Sequence, residues 1–258
     1  MLILQSLTFS CAQVGQARAT QKGWLTPKQT AGGATICLVI ASIIGVHLSK
    51  ITGYNYTGAK RYDLVIILIV TSSVFNAVAY TGGPYPLGYI GLGDISIGYS
   101  GLGDLFVFLY FGLVATMTVP YMYTTIKGSN SSLLKISFLV AIPIASLATA
   151  IIVVNNLRDR VTDVNAGKNT LAVRFGESFA RREYAILVLS SYLILIPMAW
   201  IHGVTWLCPI FSFPLAIKEL KAVAFGGKDG SALNAHVGGT ARVQLIFCLC
   251  LAFGIKSS

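Results

Sequence analysis

The strongest constraint on the fold of this chain is a series of apolar stretches separated by polar segments. They cover approximately residues 34–49, 62–80, 104–126, 133–154, 184–202, 204–220 and 240–256. Most of them reach the roughly 17 to 20 residues that a helix needs to cross the hydrocarbon core of a bilayer. Because a backbone in lipid must satisfy its own hydrogen bonds, the sequence predicts an all-α, multi-pass transmembrane helical bundle.

The composition agrees with a membrane protein. The chain is 55% hydrophobic and 11% charged, whereas about a quarter of the residues in a soluble domain are charged. The net charge of +10 does not indicate nucleic acid, because the basic residues lie between apolar stretches and do not interleave with aromatic residues. The larger share of them falls on one side of a seven-span arrangement, which is predicted to be the cytoplasmic side or its stromal equivalent.

Two parts of the chain depart from simple spanning helices. Residues 12–33 are polar, so they are predicted to form a loop or an interfacial segment. The sixth apolar stretch contains Pro209 and Pro214, and we expect its helix to be kinked or broken.

The densest cluster of charge follows the fourth apolar stretch, from Val153 to Gly176. In it Asn155, Asp159 and Asp163 recur every four residues, a spacing that stacks them on one face of a helix. Two carboxylates and an amide suit a hard divalent cation that keeps several waters and shares its remaining ligands with a phosphate. This pattern predicts a metal–phosphate site.

Basic residues surround these carboxylates, and they suit the oxygens of such a phosphate. They are Arg158, Arg160, Lys168 and Arg174. The alternative interpretation is a solvated loop, in which acidic and basic residues form surface salt bridges after a transmembrane helix. Spacing alone leaves both interpretations open.

The sequence of this segment resembles the second aspartate-rich motif of the UbiA superfamily of intramembrane prenyltransferases. It reads N-N-L-R-D-R-V-T-D-V-N-A-G-K-N-T-L-A-V-R-F-G. Within that superfamily it is most similar to the 1,4-dihydroxy-2-naphthoate prenyltransferases of menaquinone and phylloquinone synthesis. Three further stretches agree in the same order: Arg18–Gln29, Tyr80–Asp94 and Gly238–Leu245. The resemblance extends from about residue 15 to the C-terminus.

The resemblance implies nine helices around a central cavity, with two aspartate-rich motifs that bind Mg²⁺ and, through it, the diphosphate of an isoprenoid donor. The first motif is expected shortly before Arg18, yet the first acidic residue of this chain is Asp63. Residues 1–258 are therefore expected to be a single prenyltransferase domain that lacks the first two helices and the first motif. Little activity is expected from it unless Asp94 or Asp104 replaces the missing carboxylates.

Residue roles follow from the resemblance by motif position. Asp159 and Asp163 are expected to bind Mg²⁺, with Asn155 as a further ligand, and Lys168 is grouped with the two carboxylates as catalytic. The remaining candidates are expected to contact substrate, either the diphosphate, the aromatic acid or the allylic cation. They are Asn156, Arg158, Arg174, Arg18, Gln21 and Tyr80.

Other functions remain open at this stage. A transporter for a small anion would also place charges and prolines at helix ends. A catalytically impaired remnant that binds quinone precursors is another alternative. Within the enzyme interpretation, hydroxybenzoate, homogentisate or a porphyrin could replace the naphthoate, and the donor could be phytyl or polyprenyl. The membrane is expected to be a bacterial cytoplasmic or a plastid membrane.

Overall fold

A computed structural model of the chain describes residues 22–57, 62–81, 102–128, 131–165 and 168–258. Within these ranges the regular structure is entirely helical, as predicted. The main helices are α1 (Pro27–Thr57), α2 (Leu64–Thr81), α3 (Gly103–Lys127), α4 (Ser131–Asn165), α5 (Leu171–Phe175), α6 (Glu177–His202), α7 (Phe213–Leu220) and α8 (Asn234–Lys256).

Five helical segments are long and apolar enough to cross a membrane: Lys28–Gly53, Gly103–Lys127, Ser132–Asn165, Glu177–His202 and Gly230–Lys256. A shorter apolar helix covers Leu64–Val78. The chain is thus an integral membrane protein with a multi-pass helical bundle.

The sixth apolar stretch is broken, as its prolines predict. A 3₁₀ helix covers Val204–Ser212 and includes Pro209, and α7 begins only at Phe213 with Pro214 in its first turn. A proline nitrogen has no hydrogen to donate, so the tighter 3₁₀ turns precede the point where the α-helix begins.

Residues 12–33 were predicted to form a loop or an interfacial segment, and the loop is wrong from Pro27 onward, where α1 begins. The reason is a capping box just before the helix. The backbone N–H of Gln29 donates to Oγ1 of Thr26 (3.2 Å), and the backbone N–H of Thr26 donates to Oε1 of Gln29 (2.8 Å). These bonds satisfy donors that the first turn leaves free, and Pro27 has no donor to satisfy.

The core of the bundle lies where α4, α6 and α8 meet. Large side chains from all three helices are fully buried there, including Leu147, Leu157, Tyr184 and Phe247. The hydroxyl of Tyr184 is hydrogen-bonded to Oγ1 of Thr240 (3.0 Å), so its polar end is satisfied inside the core. These contacts hold α4 against the C-terminal half of the chain.

Helix α3 packs closely on the opposite side of α4. Gly112 approaches Ala145 so tightly that a Cβ atom added at Gly112 would lie 2.1 Å from the Ala145 Cβ. Small residues at a helix contact allow backbones to approach in this way. Around Gly112 the helix is π-helical, from Val107 to Val114.

Helix α4 is longer than a membrane requires. It contains 35 residues, which corresponds to about 52 Å at 1.5 Å per residue, whereas the hydrocarbon core is about 30 Å thick. Its N-terminal part carries the apolar stretch and its last turns carry the charged motif. The charged motif therefore continues the same helix beyond its apolar stretch.

Candidate active site

Asp159 and Asp163 lie on a buried face of the last turns of α4. Their exposures are 4% and 5%, whereas Val161 and Val164 on the other face are 61% and 57% exposed. A helix that only carried a solvated charged surface would show the reverse pattern. The solvated-loop interpretation therefore fails for these two carboxylates.

Arg158 binds the first of the two carboxylates through both of its oxygens. Its Nε donates to Oδ1 of Asp159 (2.9 Å) and its Nη2 donates to Oδ2 (2.6 Å). The same Nη2 also donates to Oδ1 of Asn155 (2.7 Å). The guanidinium therefore contacts both oxygen-bearing side chains that the sequence predicts as metal ligands in this part of the helix.

Lys168 is brought back to the second carboxylate by the segment after α4. Its backbone N–H donates to the carbonyl oxygen of Asp163 (2.9 Å), and its Nζ lies 3.4 Å from Oδ1 of the same residue. Each buried carboxylate thus has a cation beside it. This compensation is required because an unpaired charge at such burial is strongly unfavourable.

Arg160 does not join this group, contrary to the sequence prediction. Its Nη2 lies 3.3 Å from Oε2 of Glu177 and 3.3 Å from Oδ2 of Asp229. Because residue 160 is one position beyond Asp159, its side chain leaves α4 about 100° further round the helix. Arg160 therefore connects α4 to the start of α6 and to the segment before α8.

The structure describes only some of the remaining site residues that were predicted from the sequence. Arg174 is exposed at the end of α5, and its guanidinium lies 5.7 Å from the centre of the Phe175 ring. Tyr80 belongs to the last turn of α2, but its side chain lies outside the described part of the structure. Arg18 and Gln21 also lie outside the described residues.

A cavity of about 820 Å³ opens beside this site, between α2, α3 and α4. Its polar lining consists mainly of Asn76, Asp104, Asn156 and Thr170, and most of the rest is apolar, including Ile69, Phe106, Tyr110, Phe111, Val114 and Val119. Asn156 follows Asn155 directly and precedes Asp159 by three residues, or about 4.5 Å along the helix axis. The polar lining therefore adjoins the aspartate-bearing turns.

Asp104 also belongs to this site. From the sequence it was expected only as a possible replacement for the missing carboxylates. It is only 4% exposed, and its Oδ1 accepts a hydrogen bond from Nδ2 of Asn156 (3.0 Å). Glu183 of α6 is close enough to interact with it electrostatically. The only signal in the sequence is an acidic residue at the start of an apolar stretch, where a charge is costly to bury.

The donor atoms fit Mg²⁺. Two carboxylates and an amide oxygen, one helical turn apart, are the hard oxygen ligands that this ion prefers, with water and phosphate oxygens completing its octahedron. Within the described ranges no group of three or more His, Cys, Asp or Glu side chains is gathered as a metal site. Asp159 and Asp163, with Asn155, are the residues that would hold the ion.

Comparison with known proteins agrees with this geometry. The model of the UbiA prenyltransferase family matches residues 14–226, which is most of the chain. The chain belongs to the UbiA prenyltransferase family. The resemblance carried by the aspartate-rich motif is thereby confirmed.

The relatives within the UbiA family point to one branch. The 1,4-dihydroxy-2-naphthoate octaprenyltransferase of Escherichia coli is 31% identical over 246 residues, which cover 94% of this chain and 73% of that protein. The protein of the same name from Mycobacterium tuberculosis is 25% identical over 93% of this chain and 73% of its own length. Human UbiA prenyltransferase domain-containing protein 1 is 30% identical over 74% of this chain and 50% of its own length.

Proposed function

We propose that this protein transfers a prenyl group from its diphosphate to 1,4-dihydroxy-2-naphthoate with loss of CO₂, in menaquinone or phylloquinone biosynthesis. The observation that carries the proposal is the buried pair Asp159 and Asp163, each beside a cation, in the turns of α4 that follow Asn156 on the wall of a large and mostly apolar cavity. The names of the bacterial relatives support the naphthoate as acceptor.

The chemistry requires a diphosphate to leave an allylic carbon. Mg²⁺, when bound by Asp159, Asp163 and Asn155, supplies positive charge that stabilises the leaving diphosphate. Arg158 and Lys168 supply further positive charge at the same place, because both already lie against the two carboxylates. On binding, their N–H groups turn from the carboxylates to the diphosphate oxygens, where charge-assisted hydrogen bonds hold the leaving group.

The allylic cation needs a dry surface until the acceptor ring attacks it. The apolar lining of the cavity excludes water, and aromatic rings stabilise a nearby cation. By motif position we assign the cation-facing ring to Tyr80, at the end of α2. Arg18 and Gln21 are proposed to orient the aromatic acid.

The donor chain and the membrane side complete the proposal. A long apolar chain would leave the cavity past exposed apolar residues such as Phe111 and Val119, which are 73% and 71% exposed and would face lipid. We favour a polyprenyl donor, as in the names of the relatives. The excess of basic residues on the side of the motif supports a diphosphate site on the cytoplasmic or stromal side.

Binding of a non-cleavable prenyl thiodiphosphate to the purified protein tests this function directly. We expect binding to require Mg²⁺ and to weaken at least 100-fold in Asp159→Asn and in Asp163→Asn. Asp229→Asn is the matched control, since the Asp229 carboxylate binds Arg160 instead. Unchanged, magnesium-independent binding in the first two variants would remove the metal–diphosphate assignment.

A further inference from the structure

Two polar groups in the cavity lining have hydrogen-bonding capacity that no described residue uses. The Oδ1 atom of Asp104 accepts from Asn156, but no described residue donates a hydrogen bond to its Oδ2. The Oγ1 atom of Thr170 is buried and has no hydrogen-bond partner among the residues that the structure describes. Buried polar atoms are nearly always paired, so the Thr170 hydroxyl and the second oxygen of Asp104 are suited to hydrogen-bond a polar group of a bound molecule.

The aromatic lining of the cavity restricts which molecules can bind beside Asp104 and Thr170. The rings of Phe106 and Tyr110 both line the cavity and stack with their centroids 5.2 Å apart and their planes 8° from parallel. A flat aromatic face beside a carboxylate and a hydroxyl matches a planar ring that bears a hydroxyl group. A cavity of about 820 Å³ leaves room for an apolar chain beside such a ring.

A ring bound at Asp104 would lie close to the aspartate pair, Asp159 and Asp163. Asn156, which holds Asp104, is displaced from Asp159 by about 60° around α4 and about 4.5 Å along it. Thr170 follows Lys168 by two residues, and Lys168 contacts Asp163. A ring bound at Asp104 therefore lies next to the place where the diphosphate would leave.

We propose that Asp104 is a catalytic residue, which binds the hydroxyl of the aromatic acceptor and takes its proton during transfer. Asn156 is the positioning residue that orients the carboxylate through its Oδ1 and leaves Oδ2 for the substrate. This assignment rests on the proposed prenyl transfer, and it adds the residue that selects a hydroxylated ring and activates it.

The proton of the acceptor's hydroxyl passes to Asp104 and later returns to the same oxygen. The C–O bond to diphosphate breaks and its electron pair leaves with the diphosphate, and the ring carbon that bears the acceptor's carboxylate then forms a bond to the allylic carbon. The neighbouring hydroxyl becomes a carbonyl as its proton passes to Asp104. Loss of CO₂ then returns an electron pair to the ring, and the carbonyl oxygen takes the proton back, so Asp104 ends as it began.

Two naphthoates that differ in one methyl group test the hydroxyl contact without any need for turnover. The wild-type protein should bind 1-hydroxy-2-naphthoate about tenfold more tightly than 1-methoxy-2-naphthoate, because only the hydroxyl donates to a carboxylate. In Asp104→Asn an amide N–H donates equally to either oxygen, so the preference should fall to about twofold or less. A tenfold preference that survives in Asp104→Asn, or is missing from the wild type, would overturn the assignment.

A second pair of variants tests the location even if Asp104→Asn does not fold. Ala115→Trp adds bulk on the cavity lining and should abolish binding of both naphthoates, whereas Ile186→Trp on the exposed face of α6 should bind them normally. Normal binding by Ala115→Trp would exclude this cavity.

The prenyl thiodiphosphate separates this proposal from the proposed function. Asp104→Asn should bind it with Mg²⁺ as the wild type does, while Asp159→Asn should not. Loss of the hydroxyl preference together with magnesium-independent diphosphate binding would leave the acceptor contact standing and remove the metal site. A hydroxyl preference that survives in Asp104→Asn, together with magnesium-dependent binding of the thiodiphosphate, would remove only the role of Asp104.

Discussion

The Nη2 atom of Arg158 lies 2.6 Å from Oδ2 of Asp159 and 2.7 Å from Oδ1 of Asn155, so one guanidinium is bound by two proposed metal ligands. In the proposed function Arg158 would therefore compete with a metal ion for these oxygens and would also attract the diphosphate that the ion holds. The first role would weaken metal binding and the second would strengthen diphosphate binding, so an experiment can separate them.

Removal of the guanidinium by Arg158→Gln should change the two affinities in opposite directions. Without diphosphate, Mn²⁺ used as a probe for Mg²⁺ should bind more tightly, because Asp159 no longer has a competing cation. The prenyl thiodiphosphate should bind about tenfold more weakly, since a charge-assisted hydrogen bond is lost. Electron paramagnetic resonance and calorimetry measure the two affinities, and Arg160→Gln is the control expected to leave both unchanged. A parallel loss of both affinities would contradict the competition.

Two arginines that share Glu177 should differ in their effect on stability. Arg160 is paired with partly exposed carboxylates, so Arg160→Gln should change the free energy of unfolding by about 1 kcal/mol or less. Arg181 is 9% exposed and donates to the backbone carbonyls of Val223 and Lys228 as well as to Glu177. Arg181→Gln should lose roughly 2–4 kcal/mol, since it leaves buried acceptors unpaired. Thermal unfolding in one detergent compares the two, and equal losses would refute the ranking.

Adjacent glycines in α8 should respond in opposite ways to alanine. Gly238 is exposed with no atom within 4 Å of an added Cβ, so Gly238→Ala should stabilise the helix by about 1 kcal/mol. At Gly239 an added Cβ would lie 2.3 Å from Oε1 of Glu219. Gly239→Ala should destabilise the protein by about 1–3 kcal/mol, as overpacking does. Melting temperatures that rise in both variants would show that Glu219 can move away.

Glu219 cannot move freely because it is held by His236, whose Nδ1 lies 2.6 Å from its Oε2. Both residues are buried, so His236→Ala should cost about 3–5 kcal/mol by leaving a carboxylate unpaired. Adding Glu219→Gln should recover part of that loss, because it removes the buried charge. A double-mutant cycle measured by unfolding gives the coupling, and strict additivity would show that the two residues act independently.

Much of the fold could be predicted from local patterns in the sequence. The apolar stretches predicted where helices lie, Pro209 and Pro214 predicted the broken sixth stretch, and the four-residue spacing of Asn155, Asp159 and Asp163 predicted a shared helix face. The start of α1 was missed although its signal is local. Thr26 and Gln29 form a capping box that the polar composition of the segment obscured.

The contacts between distant residues could not be predicted in this way. Asn156 and Asp104 are 52 residues apart, and Arg160 and Asp229 are 69 apart. Whether a basic residue near the motif faces the carboxylates or a neighbouring helix depends on about 100° of rotation per residue and on how the helices pack. Spacing identified Arg158 and Lys168 correctly as neighbours of the carboxylates, but it could not exclude Arg160.

For the proposed prenyl donor, the excess length of α4 means that neither end of the molecule has to change its solvent. The last turns of α4 would meet its diphosphate at the aqueous edge of the bilayer, while the neighbouring apolar wall would meet its hydrocarbon tail within the bilayer. Drawing a lipid chain into water costs about 0.8 kcal/mol for each CH₂ group, which would exceed any plausible binding energy for a long isoprenoid. A single rigid helix that crosses the boundary between bilayer and water would remove that extraction from the reaction, so the donor would reach the site by diffusion in the plane of the membrane.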